Sequence, residues 1–259
     1  QCDTMSLPLN QIINADYLEI MRQLPNESID LVVTDPPFNI LNHDNIELKD
    51  VKITRSVDFD KTILRIDILI KEISRVLKDG GSFYIFSSDK QLGDYIRNIE
   101  INKLRYSNFL VWYHTTGAPS VRKRAYQSHC QLILFGHKEI IKKYVFNFSE
   151  SKEMRNLLHY EGCVSFEYKG GSPGEYVGHP TQKPSKLIEK LINVSSNETD
   201  IVLDPFLGSG TTALACEKLN RRWIGVELNK EYCEMARKRL ETWRTQMRLN
   251  IFQAKVGSE

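Results

Sequence analysis

The sequence is short of cysteine, of long apolar runs and of net charge, and each shortage excludes a class of protein. The five cysteines include no Cys-x-x-Cys pair and are odd in number: Cys2, Cys130, Cys163, Cys216 and Cys233. This pattern favours reduced thiols in a cytosol-like compartment and gives no zinc signature. No apolar run reaches the length of a membrane span, and the N-terminus has no apolar signal-peptide core. We therefore expect a soluble cytoplasmic protein without a membrane partner or a bound metal.

The net charge of the chain does not by itself indicate what the protein binds. The 259 residues carry 35 Lys and Arg against 33 Asp and Glu, a formal net charge of +2. So small an excess does not indicate a polyanionic partner, and any nucleic-acid surface must come from local clustering. With 41% hydrophobic and 26% charged residues, the composition is that of a folded globular protein. The length suits either one large α/β domain or a core domain with an inserted lobe.

The most informative stretch is Thr34-Asp35-Pro36-Pro37-Phe38, which follows the apolar run 29–33. The run has the character of a buried strand in a parallel sheet, and two prolines prevent it from continuing as strand or helix. An acid, a rigid turn and an aromatic ring are therefore presented at the carboxyl end of a strand, where open α/β sheets bind ligands. A plain strand-terminating turn is the alternative, because Asp and Pro are common turn residues.

A second candidate ligand site is the strand, glycine turn and helix start that run from Asp204 to Thr212. Gly208 and Gly210 allow the backbone to approach a ligand closely, and the helix start offers unpaired amides. Glu227 follows Gly208 by about 20 residues, the spacing at which an acid binds ribose hydroxyls in nucleotide-binding folds. The third glycine of the dinucleotide fingerprint is missing, which favours a smaller ligand that contains adenosine. A tight strand–helix turn without a ligand is the alternative.

Apolar periodicity predicts alternating strands and helices along most of the chain. Helical spacing covers residues 17–24 and 62–77, and we expect the second helix to end at Lys78-Asp79-Gly80-Gly81. Further strands are predicted at residues 82–86, 106–114 and 129–135. This rhythm indicates a parallel sheet with right-handed crossovers. Asp16 is predicted either to cap the first helix or to contact a ligand at the sheet edge that carries Asp35.

Two segments have no readable period and are interpreted as functional insertions. Residues 39–60 leave directly from the Asp-Pro-Pro-Phe turn, and we predict a mobile flap over the site. Residues 115–175 are predicted to form a nucleic-acid-recognition loop and lobe, because basic side chains there alternate with aromatic ones. This range includes the basic triplet Arg122, Lys123 and Arg124. A solvated surface and the core of a small subdomain are the alternatives.

Three motifs in a set order carry a family resemblance: Asp35-Pro36-Pro37-Phe38, His179-Pro180-Thr181-Gln182-Lys183-Pro184, and the glycine turn followed by Glu227. Together they resemble the β-class of DNA amino-methyltransferases, whose catalytic motif precedes the cofactor motif. The resemblance covers about residues 10–240. It implies a single permuted domain over residues 1–259 with the S-adenosylmethionine-dependent methyltransferase (Rossmann-like) α/β fold. That fold would have a mostly parallel seven-stranded sheet, helices on both faces and a small inserted DNA-facing lobe.

The resemblance implies that S-adenosylmethionine is the cofactor. The glycine turn would hold its methionine end, Glu227 its ribose hydroxyls, and Ala15 with Asp16 its adenine ring. His179, Thr181 and Lys183 would line the cofactor from the other side. The complete set of expected cofactor residues is Ala15, Asp16, Asp35, His179, Thr181, Lys183, Asp204, Phe206, Gly208, Ser209, Gly210, Thr211 and Glu227.

The catalytic residues implied by the resemblance are Asp35, Pro36, Pro37 and Phe38. The Asp35 carboxylate and the Pro36 carbonyl would accept the hydrogens of an exocyclic amine. Phe38, where tyrosine is commoner in the family, would stack against a base flipped out of the duplex. Arg122, Lys123 and Arg124 would hold DNA phosphates near that base.

The substrate implied by the resemblance is double-stranded DNA, methylated at N6 of adenine. N4 of cytosine is the alternative target, and an RNA or protein-amide methyltransferase would share the chemistry. A non-catalytic DNA-binding protein that retains the cofactor fold is the alternative from another class. A homodimer and a cognate restriction endonuclease are further partners that the family suggests, together with a prokaryotic or phage origin.

Overall fold

The computed structural model describes residues 7–37, 64–113, 130–162, 176–179 and 181–256. Within these ranges the chain forms eight strands: β1 (Gln11–Asn14), β2 (Ile29–Thr34), β3 (Leu77–Ser87), β4 (Arg105–Tyr113), β5 (Cys130–His137), β6 (Leu157–His159), β7 (Ile201–Asp204) and β8 (Arg222–Glu227). It also forms six α-helices: α1 (Tyr17–Gln23), α2 (Ile66–Val76), α3 (Leu92–Ile101), α4 (Ser185–Ser195), α5 (Thr211–Lys218) and α6 (Lys230–Val256), with a 3-10 turn at Asp89–Gln91 before α3. Strands and helices alternate along most of the chain, which confirms the predicted α/β class.

All eight strands belong to one sheet, in the order β1-β8-β7-β2-β3-β5-β4-β6. The first five strands in this order run parallel to one another. In contrast, β5 is antiparallel to both of its neighbours, and β6 lies parallel to β4. The chain continues from β2 to β3 on one side of the sheet and from β7 to β8 on the other. The adjacent strands β2 and β7 therefore form a topological switch point, the place where open α/β sheets bind ligands.

Two apolar cores cover the two faces of this sheet, and the alternation of side chains along each strand separates them. Leu31 and Val33 of β2 belong to one core, whereas Val32 between them belongs to the other. Apolar residues of α4, α5 and α6 complete the first core, and those of α1, α2 and α3 complete the second. The sheet thus has helices on both faces, as the family resemblance implies.

Helix α2 shows how the apolar spacing selects a helix. Leu69, Ile70, Ile73 and Val76 are fully buried, and steps of three and four residues place them on one helical face. Its solvent side carries charged residues, so the helix can lie on the sheet and still face water. Among the helices of the described ranges, none combines the length and the apolar character that a bilayer crossing requires.

The described residues form eight strands where seven are predicted, because β6 joins the sheet at its edge. Its three residues pair with Val111, Trp112 and Tyr113 of β4. A strand of three residues is too short to show a period of two, so the sequence carries no recognisable signal for it.

The predicted end of the second helix is also displaced. Lys78 to Gly81 belong to β3, and α2 ends earlier, at Val76, where Leu77 already has an extended backbone. Gly80 does adopt the left-handed conformation typical of a helix terminus, with φ of +85°. It lies beside an irregularity in the pairing of β2 with β3. The two glycines therefore mark an irregularity within β3, and their prediction as the end of the helix is wrong.

The segment that follows β5 uses several of its aromatic side chains for packing. Tyr144 stacks on His137 with ring centroids 4.0 Å apart, and it lies against the core on the α4 side of the sheet. Asn147 bonds to the backbone carbonyls of Asn193 and Ser196, at the end of α4. Phe148, by contrast, is exposed. Packing therefore accounts for part of the aromatic content that the sequence pattern associated with nucleic-acid recognition.

Several predictions concern residues outside the described ranges. They include the flap at residues 39–60, the aromatic ring of Phe38 and the basic triplet Arg122, Lys123 and Arg124. Strand β5 and residues 138–162 are the described part of the predicted 115–175 lobe, whose contact with DNA stays a prediction.

Gly136 provides a test of the sheet packing. A Cβ atom there would lie 2.4 Å from the Arg105 carbonyl oxygen and 2.4 Å from Cζ of the buried Phe83. Glycine in a strand often marks such a close approach. We expect Gly136→Ala to lower the free energy of unfolding by about 1–3 kcal/mol, because the strands must separate to admit the methyl group.

Urea denaturation of the purified protein measures this change. Gly93→Ala is the matched control, since a Cβ atom at Gly93 would meet nothing within 4 Å. Gly93 lies in the first turn of α3, where alanine is neutral or stabilising. Equal stability of the two variants would contradict the close packing of β5 between β3 and β4.

Candidate active site

The candidate site lies where four neighbouring parallel strands end. Their carboxyl ends are followed by polar residues: Asp16 just after β1, Glu227 at the end of β8, Asp204 at the end of β7 and Asp35 just after β2. Because parallel strands end on the same edge of a sheet, these four acids face one region although they are far apart in sequence.

A cavity of about 760 Å³ occupies this edge. Its walls contain most of the residues predicted from the sequence, namely Ala15, Asp16, Asp35, Pro36, Pro37, His179, Thr181, Lys183, Asp204, Phe206, Gly208, Ser209, Thr211 and Glu227. Of the described residues predicted to bind the cofactor, Gly210 alone is not in contact with the cavity. The two halves of the predicted site, more than a hundred residues apart in the chain, therefore share one space.

The glycine turn has the backbone conformation that the sequence predicts. Gly208 and Gly210 have φ of +52° and +78°, a region that side chains with a Cβ atom rarely adopt. A Cβ atom on Gly210 would lie 2.8 Å from Cβ of Ala236 in α6. This glycine therefore packs closely against the helix and does not line the cavity. A Cβ atom on Gly208 would lie 3.1 Å from Nε2 of His179. Glycine at position 208 thus keeps the cavity open beside the histidine.

Glu227 is held by the backbone of two loops. One carboxylate oxygen accepts a hydrogen bond from the Gly208 amide at 2.8 Å, and the other accepts one from the Asn229 amide at 2.8 Å. The side chain is buried, and burial raises the pKa of this carboxyl above its ordinary value. Each carboxylate oxygen has a second lone pair. Glu227 can therefore accept further hydrogen bonds, such as those of ribose hydroxyls, without losing its supports.

Asp204 supports the same turn from the end of β7. It accepts a hydrogen bond from the Thr212 hydroxyl at 2.6 Å and one from the Phe206 amide at 3.1 Å. Burial away from water raises the pKa of the Asp204 carboxyl to about 7. Both contacts lie within the turn and the first residues of α5, so Asp204 mainly fixes the shape of the backbone that lines the cavity.

Asp35 is fixed by two side chains from different parts of the fold. Lys183 forms an ion pair with one of its carboxylate oxygens, and the Gln131 amide of β5 donates to the other at 3.3 Å. The Asp35 side chain retains 23% of its exposure, so it still faces the cavity. The carboxylate is thus oriented and at the same time available to a ligand.

His179 is a buried, neutral ring on the opposite wall. Its Nδ1 accepts a hydrogen bond from the Thr181 amide at 3.3 Å, and its ring packs edge-on against Tyr232 with centroids 4.4 Å apart. Burial, assisted by the positive charges of Lys183 and Arg239, lowers the pKa of His179 to about 4. The ring therefore adds no positive charge to the cavity at neutral pH.

Asp16 has the capping role predicted for it, and it also lines the cavity. Its carboxylate accepts a hydrogen bond from the Leu18 amide at 2.9 Å, at the start of α1. Next to it, Tyr17 packs on Phe206 with ring centroids 4.6 Å apart. The two readings of Asp16 are therefore compatible, since one carboxylate oxygen caps the helix beside the cavity.

Sequence reasoning missed several residues of the site. Arg239 of α6 is buried and donates to the Ser209 carbonyl at 3.3 Å and to the Thr211 hydroxyl at 2.8 Å, which supports the glycine turn from behind. Gln131, which contacts Asp35, is the second residue of β5, and Tyr232 lies near the start of the long helix α6. None of these residues belongs to a motif, so only their position in the fold reveals them.

The cavity suits S-adenosylmethionine, which carries a sulfonium cation and an adenosine group. Five acidic residues line it (Asp16, Asp35, Asp204, Glu227 and Glu231) against two lysines (Lys183 and Lys230), and His179 is neutral, so the balance of charge favours a cationic ligand. Glu227 offers acceptors for ribose hydroxyls, and the backbone of Gly208 is bare on the cavity side except for His179. The described residues show no group of His, Cys, Asp or Glu side chains that could hold a metal ion.

Comparisons with known proteins agree with this geometry. The N6/N4 methyltransferase family, described as DNA methylase, matches residues 29–238. The Type II methyltransferase M.HpaI of Haemophilus parainfluenzae is 35% identical over 242 residues, which cover 90% of this chain and 74% of that protein. The DNA adenine methyltransferase YhdJ of Escherichia coli (strain K12) is 36% identical, with 89% of this chain and 82% of that protein covered.

A solved structure shows the same architecture. The crystal structure of the M1.HpyAVI–SAM complex superimposes with a TM-score of 0.66 at 30% sequence identity, and the match covers 89% of this chain and 98% of that one. Fold and cavity thus define an S-adenosylmethionine-dependent methyltransferase. More particularly, the chain belongs to the N6/N4 family of DNA methylases, which transfer methyl groups to exocyclic amino groups of DNA bases. The family resemblance, the cofactor and the DNA substrate predicted from the sequence are confirmed.

The lowered pKa of His179 has a consequence for stability. In the unfolded chain this histidine titrates near its ordinary pKa of 6.5, whereas in the folded protein its pKa is about 4. The contribution of a neutral His179 to the free energy of unfolding is fully present above the pKa of this histidine in the unfolded chain. It is lost as the pH falls through the pKa of His179 in the folded protein. We expect His179→Gln to remove this loss, which amounts to at most about 3 kcal/mol.

Urea unfolding at about pH 7 and about pH 5 measures the effect as a flatter pH dependence in the variant than in the parent protein. Comparing the two proteins cancels the contributions of other titrating groups. His159→Gln is the control, because His159 is exposed and pairs with Glu161 on the surface. An unchanged slope in His179→Gln would contradict a neutral, buried ring at this position.

Proposed function

We propose that the protein methylates N6 of adenine in double-stranded DNA, with Asp35 as the residue that engages the target amine. The observation that carries this proposal is the shared cavity, in which the Asp35 carboxylate faces the same space as Glu227 and the glycine turn. A methyl donor and a methyl acceptor must meet in such a space for transfer to occur.

The chemistry of the target explains the need for an acidic turn. The lone pair of an aromatic amine is delocalised into the ring, so the nitrogen is a poor nucleophile. When bound, S-adenosylmethionine supplies an electrophilic methyl group. The Asp35 carboxylate and the Pro36 carbonyl accept the two amine hydrogens, which favours a pyramidal nitrogen with its lone pair free to attack. The N–C bond forms as the S–C bond breaks, and Asp35 is the nearby base that can take the proton released from nitrogen.

The rigidity of the Asp-Pro-Pro turn supports this role. Proline fixes φ at both positions, so the carboxylate and the Pro36 carbonyl keep a set spacing at the end of β2. The Lys183 and Gln131 contacts fix the carboxylate itself. Positioning of this kind supplies much of the acceleration in a reaction that needs no covalent enzyme intermediate.

Adenine is proposed as the target for two reasons. The relative YhdJ, named as a DNA adenine methyltransferase, is 36% identical. Aspartate before the two prolines also favours adenine within the family that the sequence resembles. We further propose that Phe38 stacks against the flipped base and that Arg122, Lys123 and Arg124 bind phosphates, although all four lie outside the described residues.

The relatives also suggest partners for the enzyme. M.HpaI is named as a Type II methyltransferase. We propose on this basis that a restriction endonuclease with the same recognition sequence accompanies the protein. A homodimer is likewise a proposal, and light scattering of the purified protein determines whether it forms.

The identity of the modified base is tested by digesting methylated duplex DNA to nucleosides and analysing them by mass spectrometry. We expect N6-methyladenine as the product when a DNA library is incubated with the enzyme and S-adenosylmethionine. If N4-methylcytosine were the sole methylated nucleoside, the target assignment would be wrong while the family assignment would stand.

The role of Asp35 is tested by Asp35→Asn, which keeps the shape of the side chain but removes its negative charge. We expect the single-turnover rate to fall by roughly 10²–10⁴-fold, because the amide cannot take a proton from the amine. Cofactor binding, measured by calorimetry, should persist. Asp94→Asn is the matched control, since Asp94 is exposed on α3, away from the cavity. Normal turnover in Asp35→Asn would remove Asp35 from the mechanism.

A further inference from the structure

Lys183 occupies an unusual place for a residue expected to bind the cofactor. Its side chain is buried, with 9% of its exposure remaining, and its ammonium group forms an ion pair with Asp35. The same nitrogen donates to the Thr181 carbonyl at 3.2 Å and lies 5.1 Å from the centre of the Phe86 ring. A lysine ammonium has three donors and no acceptor. Two of these donors are directed to protein oxygens, those of Asp35 and Thr181, so the ammonium group binds the proposed catalytic carboxylate.

The backbone of Lys183 connects in the other direction, to the cofactor turn. Its carbonyl oxygen accepts a hydrogen bond from the Thr211 hydroxyl at 3.3 Å, and that hydroxyl accepts one from Arg239 at 2.8 Å. One residue thus joins the donor half of the cavity to the acceptor half. A displacement of the glycine turn would move the base of the Lys183 side chain and, through it, the Asp35 carboxylate.

The surroundings of Asp35 explain why a cation is needed there. The carboxyl group of Asp204 stands at the end of the neighbouring strand β7, near enough for Asp35 to raise its pKa further. The hydroxyl of the buried Tyr95 on α3 also feels the charge of Asp35. From β5, Gln131 contributes a neutral amide. His179, which lies near Lys183, is neutral, and the guanidinium of Arg239 is bonded to Ser209 and Thr211. The positive charge that contacts Asp35 is that of Lys183.

We propose that Lys183 is a positioning residue, which holds the Asp35 carboxylate in the orientation that the target amine requires. The proposal rests on the proposed role of Asp35. Lys183 donates to one carboxylate oxygen and Gln131 to the other, and these two bonds fix the plane of the carboxylate. Each oxygen keeps a second lone pair, to which the amine of the base can donate. A carboxylate that loses its neighbouring cation binds a proton from solvent more readily. Once protonated, it cannot take a proton from the amine.

The test compares Lys183→Met, Lys183→Gln and Lys183→Arg in single-turnover methylation of duplex DNA at saturating cofactor over a range of pH. We expect the rate of the Met and Gln variants to fall by roughly 10–100-fold at neutral pH, about the effect of losing a charged hydrogen bond. The acid limb of their pH–rate profile should move to higher pH. Arginine retains the charge, so Lys183→Arg should recover most of the rate and the original acid limb.

A binding measurement separates this role from that of a cofactor ligand. Calorimetric titration with S-adenosylhomocysteine should give Kd values for the Met and Gln variants within about threefold of the parent value, a small change on the free-energy scale. Lys186→Met is the matched control, because Lys186 is exposed on the same helix start and its removal changes the net charge equally. Circular dichroism establishes that each variant folds. If Lys183→Met does not fold, the Gln and Arg variants carry the comparison.

Two results would overturn the proposal. One is a weakened Kd with a normal rate at saturating cofactor, which would make Lys183 a cofactor ligand. The other is a rate loss that is equal at every pH and not recovered by arginine, which would make its role purely structural. Asp35→Asn distinguishes a failure of the proposed function from a failure of the role proposed for Lys183. If that variant is inactive while Lys183→Met is normal, the proposed function stands and the role of Lys183 falls.

Discussion

The structure depends on one geometric constraint, that β1, β8, β7 and β2 are adjacent and parallel. Parallel strands end on the same edge, so the acids that follow them face one cavity. In the chain, Asp35 and Glu227 belong to opposite ends of the sequence. The sheet brings them together because β7 pairs with β2 at the switch point, and that pairing creates a two-part site from two distant motifs.

Grouping several acids in one cavity creates electrostatic repulsion, which the fold offsets in different ways for Glu227, Asp204 and Asp35. Glu227 is satisfied by two backbone amides, and Asp204 by a hydroxyl and an amide. Asp35 receives a full positive charge from Lys183. Backbone amides suit an acid that shapes a binding wall, whereas a charged side-chain partner suits an acid that must be held in one orientation for a substrate. The difference in partners therefore matches the difference in proposed roles.

Much of the fold and of the site could be predicted because the relevant signals are local. Two prolines after an apolar strand, glycines at positive φ and an acid at a set spacing each report on their own neighbourhood. Contacts between distant segments leave no such signal. Arg239 in a polar helix resembles any surface arginine until α6 packs behind the glycine turn. Likewise, Gln131 resembles any polar strand residue, and β6 is too short to show a period.

The sequence by itself determined the α/β class and the two halves of the candidate site, because motif chemistry and apolar periodicity depend on neighbouring residues. Its resemblance to a known family, carried by three motifs, implied the cofactor. Only the tertiary structure decided the place of β6 in the sheet, the supports of Glu227, Asp204 and Asp35, and the actual partner of Lys183. In sequence, Lys183 belongs to a motif that the family resemblance assigns to the cofactor. In the fold, its side chain reaches Asp35 while its backbone bonds to Thr211. The direction of a long side chain follows from what surrounds it, and those surroundings come from residues far away in the chain.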